Sequence, residues 1–269
     1  MSDFPVDWKK DSRSFDRVAG LYDAYRPRYP QELVEHILVA THFPPQGRIL
    51  EIGSGTGIAT LPFAERGYSI LCLEPGENLA ELARQKLSQY PRVRFSLTAF
   101  EDWQPGAELF DLAISAQAFH WTDQETRFQK TASVLHKGGH LALFWNHNLP
   151  FPEPLDQELE QVYRQFAPEL TGDPPPGYQA GIEYWRKELH ASPEFDLLEI
   201  TIYPWQAVYT TPEYLGLLNT YSDHLRLPEA RRQELFSAIT GVLERHGGQI
   251  KKPYRAELYL ARKIKRKGK

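Results

Sequence analysis

Between Arg48 and Leu143 short apolar runs alternate with longer amphipathic stretches. The runs RILEIG, YSILCLE, VRFSLTAF, FDLAISA and HLALFW predict five strands joined by crossover helices onto a parallel sheet. Between them LPFAERG, ENLAELARQKLSQY and ETRFQKTASVLHKGG read as helices, with Leu79, Leu82, Ala83 and Leu87 recurring at helical spacing. Gly67 and the pair Gly138 and Gly139 stand where helices commonly end. Pro62 costs the first of these helices a hydrogen bond if that helix begins near Gly57.

The stretch ELVEHILVATHF predicts a helix ahead of the first strand. After Asn148 the pattern changes, and DQELEQVYRQF and GIEYWRKEL predict helices flanking the extended loop TGDPPPGY. It then reverts: LLEITIYPW is a strand, TPEYLGLLNTYS and PEARRQELFSAITGVLERHG are helices, and YRAELYLARKI is a final strand. The expectation is an α/β fold of seven strands with helices on both faces and a helical insertion between strands 5 and 6. The last two strands are expected as an antiparallel addition at the sheet edge.

Composition narrows the class of protein. The 269 residues are 41% hydrophobic and 25% charged, enough apolar material for a sizeable core. The formal charge is -4, but six positive charges lie in the last eight residues, so the remainder carries -10. An acidic body argues against a nucleic-acid backbone as the main partner. A single cysteine, Cys72, excludes an intramolecular disulfide framework and a cysteine-based zinc site. No apolar run approaches the roughly 18 residues that cross a membrane, and the first residues lack an apolar signal core, so a cytoplasmic location is expected.

The chemistry concentrates at the ends of the predicted strands. RILEIGSGTG runs a strand into Gly53, Gly55 and Gly57 and then a helix, a place where a ligand approaches the backbone and meets unpaired N–H groups. The spacing is G-x-G-x-G; Ile58 stands where a dinucleotide fingerprint has its third glycine, and no Lys-Ser/Thr pair makes this a phosphate-gripping loop. Glu74 ends the second strand twenty-one residues after Gly53, where a carboxylate accepts both hydroxyls of a ribose. AFEDW, at the end of the third strand, offers an acid and backbone amides to an adenine edge. Three such signals at successive strand tips converge on one crevice. His136 and His140 have metal-like spacing, but the glycines between them break a shared helical face.

The blocks LEIGSGTG, LEP, AFEDW, FDLAISAQAFHW and LHKGGHLALF, with FDRVAGLYDAYRPRYP before them, resemble the class I S-adenosylmethionine-dependent methyltransferases. The small-molecule group that contains trans-aconitate and juvenile hormone acid methyltransferases is the most similar. The resemblance covers the chain from about Phe15 to Leu143. It implies a Rossmann-like seven-stranded sheet, S-adenosyl-L-methionine as cofactor and S-adenosyl-L-homocysteine as product. By the same resemblance Glu51, Gly53, Ser54 and Gly55 line the methionine part, Glu74 followed by Pro75 holds the ribose, and Phe100 and Glu101 flank the adenine. Ala116 and Gln117 lie beneath the sulfonium, and Tyr22, Arg26 and Tyr29 belong to a lid.

The implied organisation is one methyltransferase domain with a lid segment over 1–45, a cofactor-binding core over 46–147, a helical cover over 148–196, C-terminal strands and helices over 197–263 and a basic tail over 264–269. The implied reaction is direct displacement of the methyl group by oxygen or nitrogen of a small molecule, a carboxylate among the options. His120, just after the fourth strand, is the candidate general base for a hydroxyl or amine acceptor. Tyr22, Tyr29, Trp145, Tyr184, Trp185 and Arg186 are candidates for an aromatic acceptor pocket partly lined by cations, and Tyr221 and His224 could complete it. No nucleic-acid or membrane partner is expected. The competing readings are a nicotinamide-dependent oxidoreductase, which shares the glycines and Glu74, and a methyltransferase of RNA or protein, motivated by the basic tail.

Overall fold

The computed structural model describes residues 16–171 and 178–264. The start of the predicted lid segment, most of the TGDPPPGY loop and the basic tail beyond Ile264 lie outside the described residues. The described chain divides into two compact units, one gathering residues 28–146, 178–203 and 256–264, the other residues 16–27, 147–171 and 204–255.

The strands are β1 (Arg48–Ile52), β2 (Ser69–Glu74), β3 (Val93–Leu97), β4 (Phe110–Ala116), β5 (Leu135–Asn148), β6 (Phe195–Thr210) and β7 (Gln249–Lys263). They form one mixed seven-stranded sheet in the order β3-β2-β1-β4-β5-β7-β6. β1 pairs in parallel with β2 and β4, β2 with β3 and β4 with β5, so the carboxyl ends of the first four strands share one edge. Strand order reverses at β1, which places the switch point beside its glycine-rich end. β1 is buried on both faces after Arg48, which explains its near-continuous apolar sequence.

The first of the two units carries the helices α2 (Gln31–Ala40), α3 (Thr60–Glu65), α4 (Glu77–Lys86), α5 (Arg127–Ser133) and α7 (Tyr178–Ala191). Its core joins Leu50, Ile52, Leu73, Phe119 and Leu143 to Trp145, Trp185 and Tyr259. Trp145 and Trp185 are buried and stack at 4.6 Å, so these two rings pack the α7 helix onto the sheet. The buried Arg127 guanidinium lies over the Trp185 ring at 4.8 Å and donates to Glu188 at 2.6 Å, a second tie between α5 and α7.

The second unit carries α1 (Ala19–Tyr25), α6 (Leu155–Phe166), α8 (Thr211–Leu218), α9 (Ser222–Arg226) and α10 (Glu229–Arg245). Its own core is built from Leu155, Leu159, Leu217, Leu235, Ile239 and Tyr254. Thr210 starts α8 with a reciprocal cap: its N–H donates to the Glu213 carboxylate at 2.7 Å, and its side-chain oxygen accepts from the Glu213 N–H. Among the described residues no helix is long and apolar enough to cross a membrane.

Two local expectations need correction. The helix expected over 125–139 ends at Ser133, and Leu135–Gly139 already belong to β5. Pairing slips from Phe110 opposite Leu135 to Leu112 opposite His140, so Gly138, at φ +78°, serves a bulge and not a helix end. The helix holding Pro62 starts at Thr60, which puts the proline in the first turn, where a missing N–H costs nothing. A Cβ at position 138 meets nothing within 4 Å, so only backbone strain opposes it. Gly138→Ala is expected to lower stability by about 1–2 kcal/mol in urea denaturation, the penalty of the left-handed conformation; an unchanged midpoint would refute the bulge assignment.

Candidate cofactor site

The carboxyl-terminal tips of β1 to β4 are held together by hydrogen bonds that the strands themselves do not supply. Gly53 and Ser54 both donate their N–H to the Leu73 carbonyl, at 2.9 and 3.1 Å, which folds the turn after β1 against β2. Glu74, buried at the end of β2, then accepts from two loops. One carboxylate oxygen takes the Gly55 N–H at 2.7 Å, and the other takes the Gly76 N–H at 2.8 Å. The buried Ser115 hydroxyl donates to the Ile52 carbonyl at 2.7 Å and locks β4 to β1 at the same edge. Thr98 donates its N–H to the Glu74 carbonyl, bringing in the end of β3.

The glycines of the turn are required by geometry. Gly53 has φ +73°, and a Cβ there would lie 2.4 Å from the Ala118 Cβ. At Gly55 nothing lies within 4 Å of where a Cβ would stand, which leaves open space against the backbone. Ser54, Thr56 and Glu51 nearby each hold a buried polar atom without a protein partner: Ser54 Oγ, Thr56 Oγ1 and Glu51 Oε1. Buried polar atoms are ordinarily paired, so three orphans around one glycine turn fit a polar ligand.

Glu51 is fully buried, and its second oxygen accepts from the Thr60 hydroxyl at 2.6 Å. Burial pushes its carboxyl up to about 8, with the neighbouring Glu74 adding to the rise. Cys72, expected to act as a small core hydrophobe, is fully buried with its sulfur 3.9 Å from the same Glu51 oxygen.

At the β3 tip, Phe100 is buried and stacks with Trp103 at 6.4 Å. The Glu101 carboxylate accepts the Asp123 N–H at 2.7 Å, and the Glu101 carbonyl accepts from Lys130 at 2.7 Å. At the β4 tip Gln117 sits at φ +57°, a conformation uncommon for a residue with a side chain, and donates its amide to the Asn146 carbonyl at 3.1 Å. Ala116 pairs with Phe144, on whose ring Tyr29 packs edge-on at 4.8 Å. His120 lies in the short turn that follows, exposed, with its Nδ1 accepting the Trp145 indole N–H at 3.2 Å.

The strand-tip residues named from sequence therefore gather in one unit together with Tyr29 and His120. Tyr22 and Arg26 belong to the other unit, where Thr220 accepts Arg26 through its hydroxyl and carbonyl at 2.8 and 2.7 Å. Thr60, Gly76 and Ser115 were not legible as site residues. Only the last carried a signal, a hydroxyl in an otherwise apolar strand.

A seven-stranded sheet that reverses at β1, with a glycine turn and an acid at the next strand tip, defines a nucleoside-cofactor-binding α/β protein. A family model of the methyltransferase domain matches residues 49–139. An uncharacterized methyltransferase of Mycobacterium tuberculosis is 33% identical over 135 residues, 50% of this chain and 53% of that protein. The chain thus spans about half the length of this mycobacterial relative. A putative type II methyltransferase of Anaeromyxobacter dehalogenans shares the fold with TM-score 0.62 and 22% identity, over 88% of this chain and 98% of that one. A Geobacter sulfurreducens methyltransferase solved with S-adenosyl-L-homocysteine aligns at TM-score 0.51 and 14% identity, over 98% of this chain and 100% of that one. Residues 49–139 are thus similar to a methyltransferase domain, and the wider chain shares its fold with these methyltransferase structures.

The Glu51 environment yields a pH test. Its carboxyl ionises near 4.5 when unfolded and near 8 when folded, so between these values the folded state keeps a proton that the unfolded state has lost. Stability therefore falls as pH rises from 4.5 to 8. Glu51→Gln is expected to flatten that fall and to stabilise the protein at neutral pH by roughly 1–3 kcal/mol. Urea midpoints measured across this range check it, and a Glu51→Gln protein with the parent's slope would reject the assignment.

Proposed function

We propose that the protein transfers the methyl group of S-adenosyl-L-methionine to an oxygen or nitrogen of a small molecule. The observation that carries the reading is the β1–β2 tip, where the buried Glu74 carboxylate fixes the glycine turn through the Gly55 and Gly76 N–H groups. An acid at that strand tip, beside a glycine turn, fits a ribose diol. The orphaned Ser54 and Thr56 hydroxyls and Glu51 Oε1 fit the amino-acid end, and buried Phe100 with Glu101 fits the base.

The cofactor, when bound, supplies a methyl group made electrophilic by an adjacent sulfonium. Because positive charge is lost in such a displacement, the chain's task is alignment and exclusion of water, and good alignment alone is worth up to roughly 7–11 kcal/mol. Gln117, held at φ +57° and tied to the β5 end, fixes the backbone at the β4 tip. His120 suits orientation better than proton removal. With Nδ1 taking the Trp145 N–H, a neutral ring carries its proton on Nε2, and neither nitrogen is then a proton acceptor. Tyr29 is proposed to cover the cofactor. The chemistry is compatible with a carboxylate acceptor, which needs no base.

Calorimetry with S-adenosyl-L-homocysteine is expected to give one site per chain, and NAD no heat. Glu74→Gln is expected to weaken that binding by about 10- to 100-fold, the worth of hydrogen bonds to a charged group. A protein that binds NAD and not S-adenosyl-L-homocysteine would overturn the proposal in favour of an oxidoreductase.

A further inference from the structure

A second polar cavity, of about 740 Å³, lies wholly within the unit of residues 16–27, 147–171 and 204–255. Its size is that of a pocket for a small organic molecule. Two features of its wall point to the chemistry of a guest. The first is Lys252 on β7, which is 93% buried, its relative exposure being 7%. Its ammonium donates to the Leu149 carbonyl at 2.5 Å and lies 4.4 Å from the Phe151 ring centre. Among the described residues no carboxylate stands within ion-pair distance of it, and two of its three N–H bonds have no protein acceptor. A buried cation in that condition is costly, and burial pulls its ionisation down to about 8 even with Asp156 nearby. A monoanion in the cavity would complete it.

The second feature is a chain of hydrogen bonds. Asp223 Oδ1 accepts from His224 Nδ1 at 2.7 Å, and the Tyr163 hydroxyl meets His224 Nε2 at 2.8 Å. With the His224 proton on Nδ1, Tyr163 donates to the imidazole, and the phenol oxygen is left as a fixed acceptor on the cavity wall. Burial and the Asp223 charge hold the Tyr163 phenol well above its ordinary range, so it stays neutral and its oxygen suits a hydroxyl donor. Leu170, Tyr214 and Tyr221 add apolar and aromatic wall. The wall also carries Arg26, Glu160 and Asp223, so that with Lys252 its formal charges sum to zero; Glu160 accepts from Arg164 and Asp223 from His224, and the cavity has room for one further negative charge rather than two.

We propose that this cavity binds a small hydroxylated organic carboxylate, its carboxylate on Lys252 and its hydroxyl donating to Tyr163. The proposal does not depend on the cofactor site.

Mandelate, phenylacetate and mandelamide separate the contributions, because the second lacks the hydroxyl and the third lacks the charge. In calorimetry on the full chain, mandelate is expected to bind at least about tenfold tighter than mandelamide, in keeping with a charge-assisted hydrogen bond. Phenylacetate should fall between the two. Lys252→Met should bring mandelate and mandelamide to equal affinity, and Tyr163→Phe should bring mandelate and phenylacetate together. The wild-type comparison needs no variant, and a raised melting midpoint of Lys252→Met without ligand would verify that it folds and that the buried charge was uncompensated. Equal wild-type binding of mandelate and mandelamide, or a preference that survives Lys252→Met, would overturn the site; inorganic phosphate binding tighter than mandelate would overturn the carboxylate assignment. With labelled S-adenosyl-L-methionine present, a methyl ester of bound mandelate assigns the cavity to the methyl acceptor, and binding without ester assigns it to an effector; both uphold the site. A protein that binds mandelate but not S-adenosyl-L-homocysteine loses the cofactor reading and keeps this one.

Discussion

One carboxylate organises the cofactor site. Glu74 ends a buried strand, where an acid is expensive unless its oxygens are satisfied. Its two oxygens are satisfied by the backbone amides of Gly55 and Gly76, one from each loop that borders the crevice. The acid thus fixes the two loops, and the loops in turn fix the acid. The Leu73 carbonyl, accepting from Gly53 and Ser54, repeats the arrangement one residue earlier. The left-handed turn at Gly53, the close approach to Ala118 and the open space at Gly55 all follow from this pinning, because the chain leaving β1 has to turn immediately toward β2.

This part of the molecule was readable from sequence because it is local. A strand buried on both faces shows as a continuous apolar run, its end is marked by glycines, and Glu74 lies one crossover away. β1, β2 and β4 accordingly fall where the apolar runs place them, within a residue. β5 escaped because its first five residues, LHKGG, carry the lysine and glycines of a helix end; the bulge that makes them strand depends on pairing with β4, which no local pattern records. β6 and β7 are long, at 16 and 15 residues; of β6 only the apolar middle stands out in the sequence, and of β7 only the part from Tyr254 onward. The stacked Trp145 and Trp185 were read as possible pocket walls because aromatic residues look alike in sequence whether they face a ligand or each other.

The hydrogen-bonded chain of Asp223, His224 and Tyr163 and the isolated Lys252 were illegible for a different reason. Tyr163 comes from α6, His224 from α9 and Lys252 from β7, so their partners are separated by long stretches of chain. In sequence Lys252 is one of two adjacent lysines before a proline, and strand alternation alone decides that it turns inward while Lys251 stays exposed.

Glu51 and Lys252 make the same physical argument with opposite signs. Each is a buried ionisable group without a counter-charge in contact, and burial moves each toward neutrality, the acid up to about 8 and the base down to about 8. A fold under selection for stability alone would replace either with an isosteric uncharged residue, since unpaired buried charge costs more than packing returns. Each gains a partner when a ligand of matching chemistry binds beside it. Glu51 borders hydroxyls without a protein partner at a glycine turn, Lys252 lines one cavity with the Tyr163 phenol, and in both places a polar ligand supplies a partner that the chain itself does not provide. In each place the stability given up by the empty fold is available as binding energy for a ligand of matching chemistry.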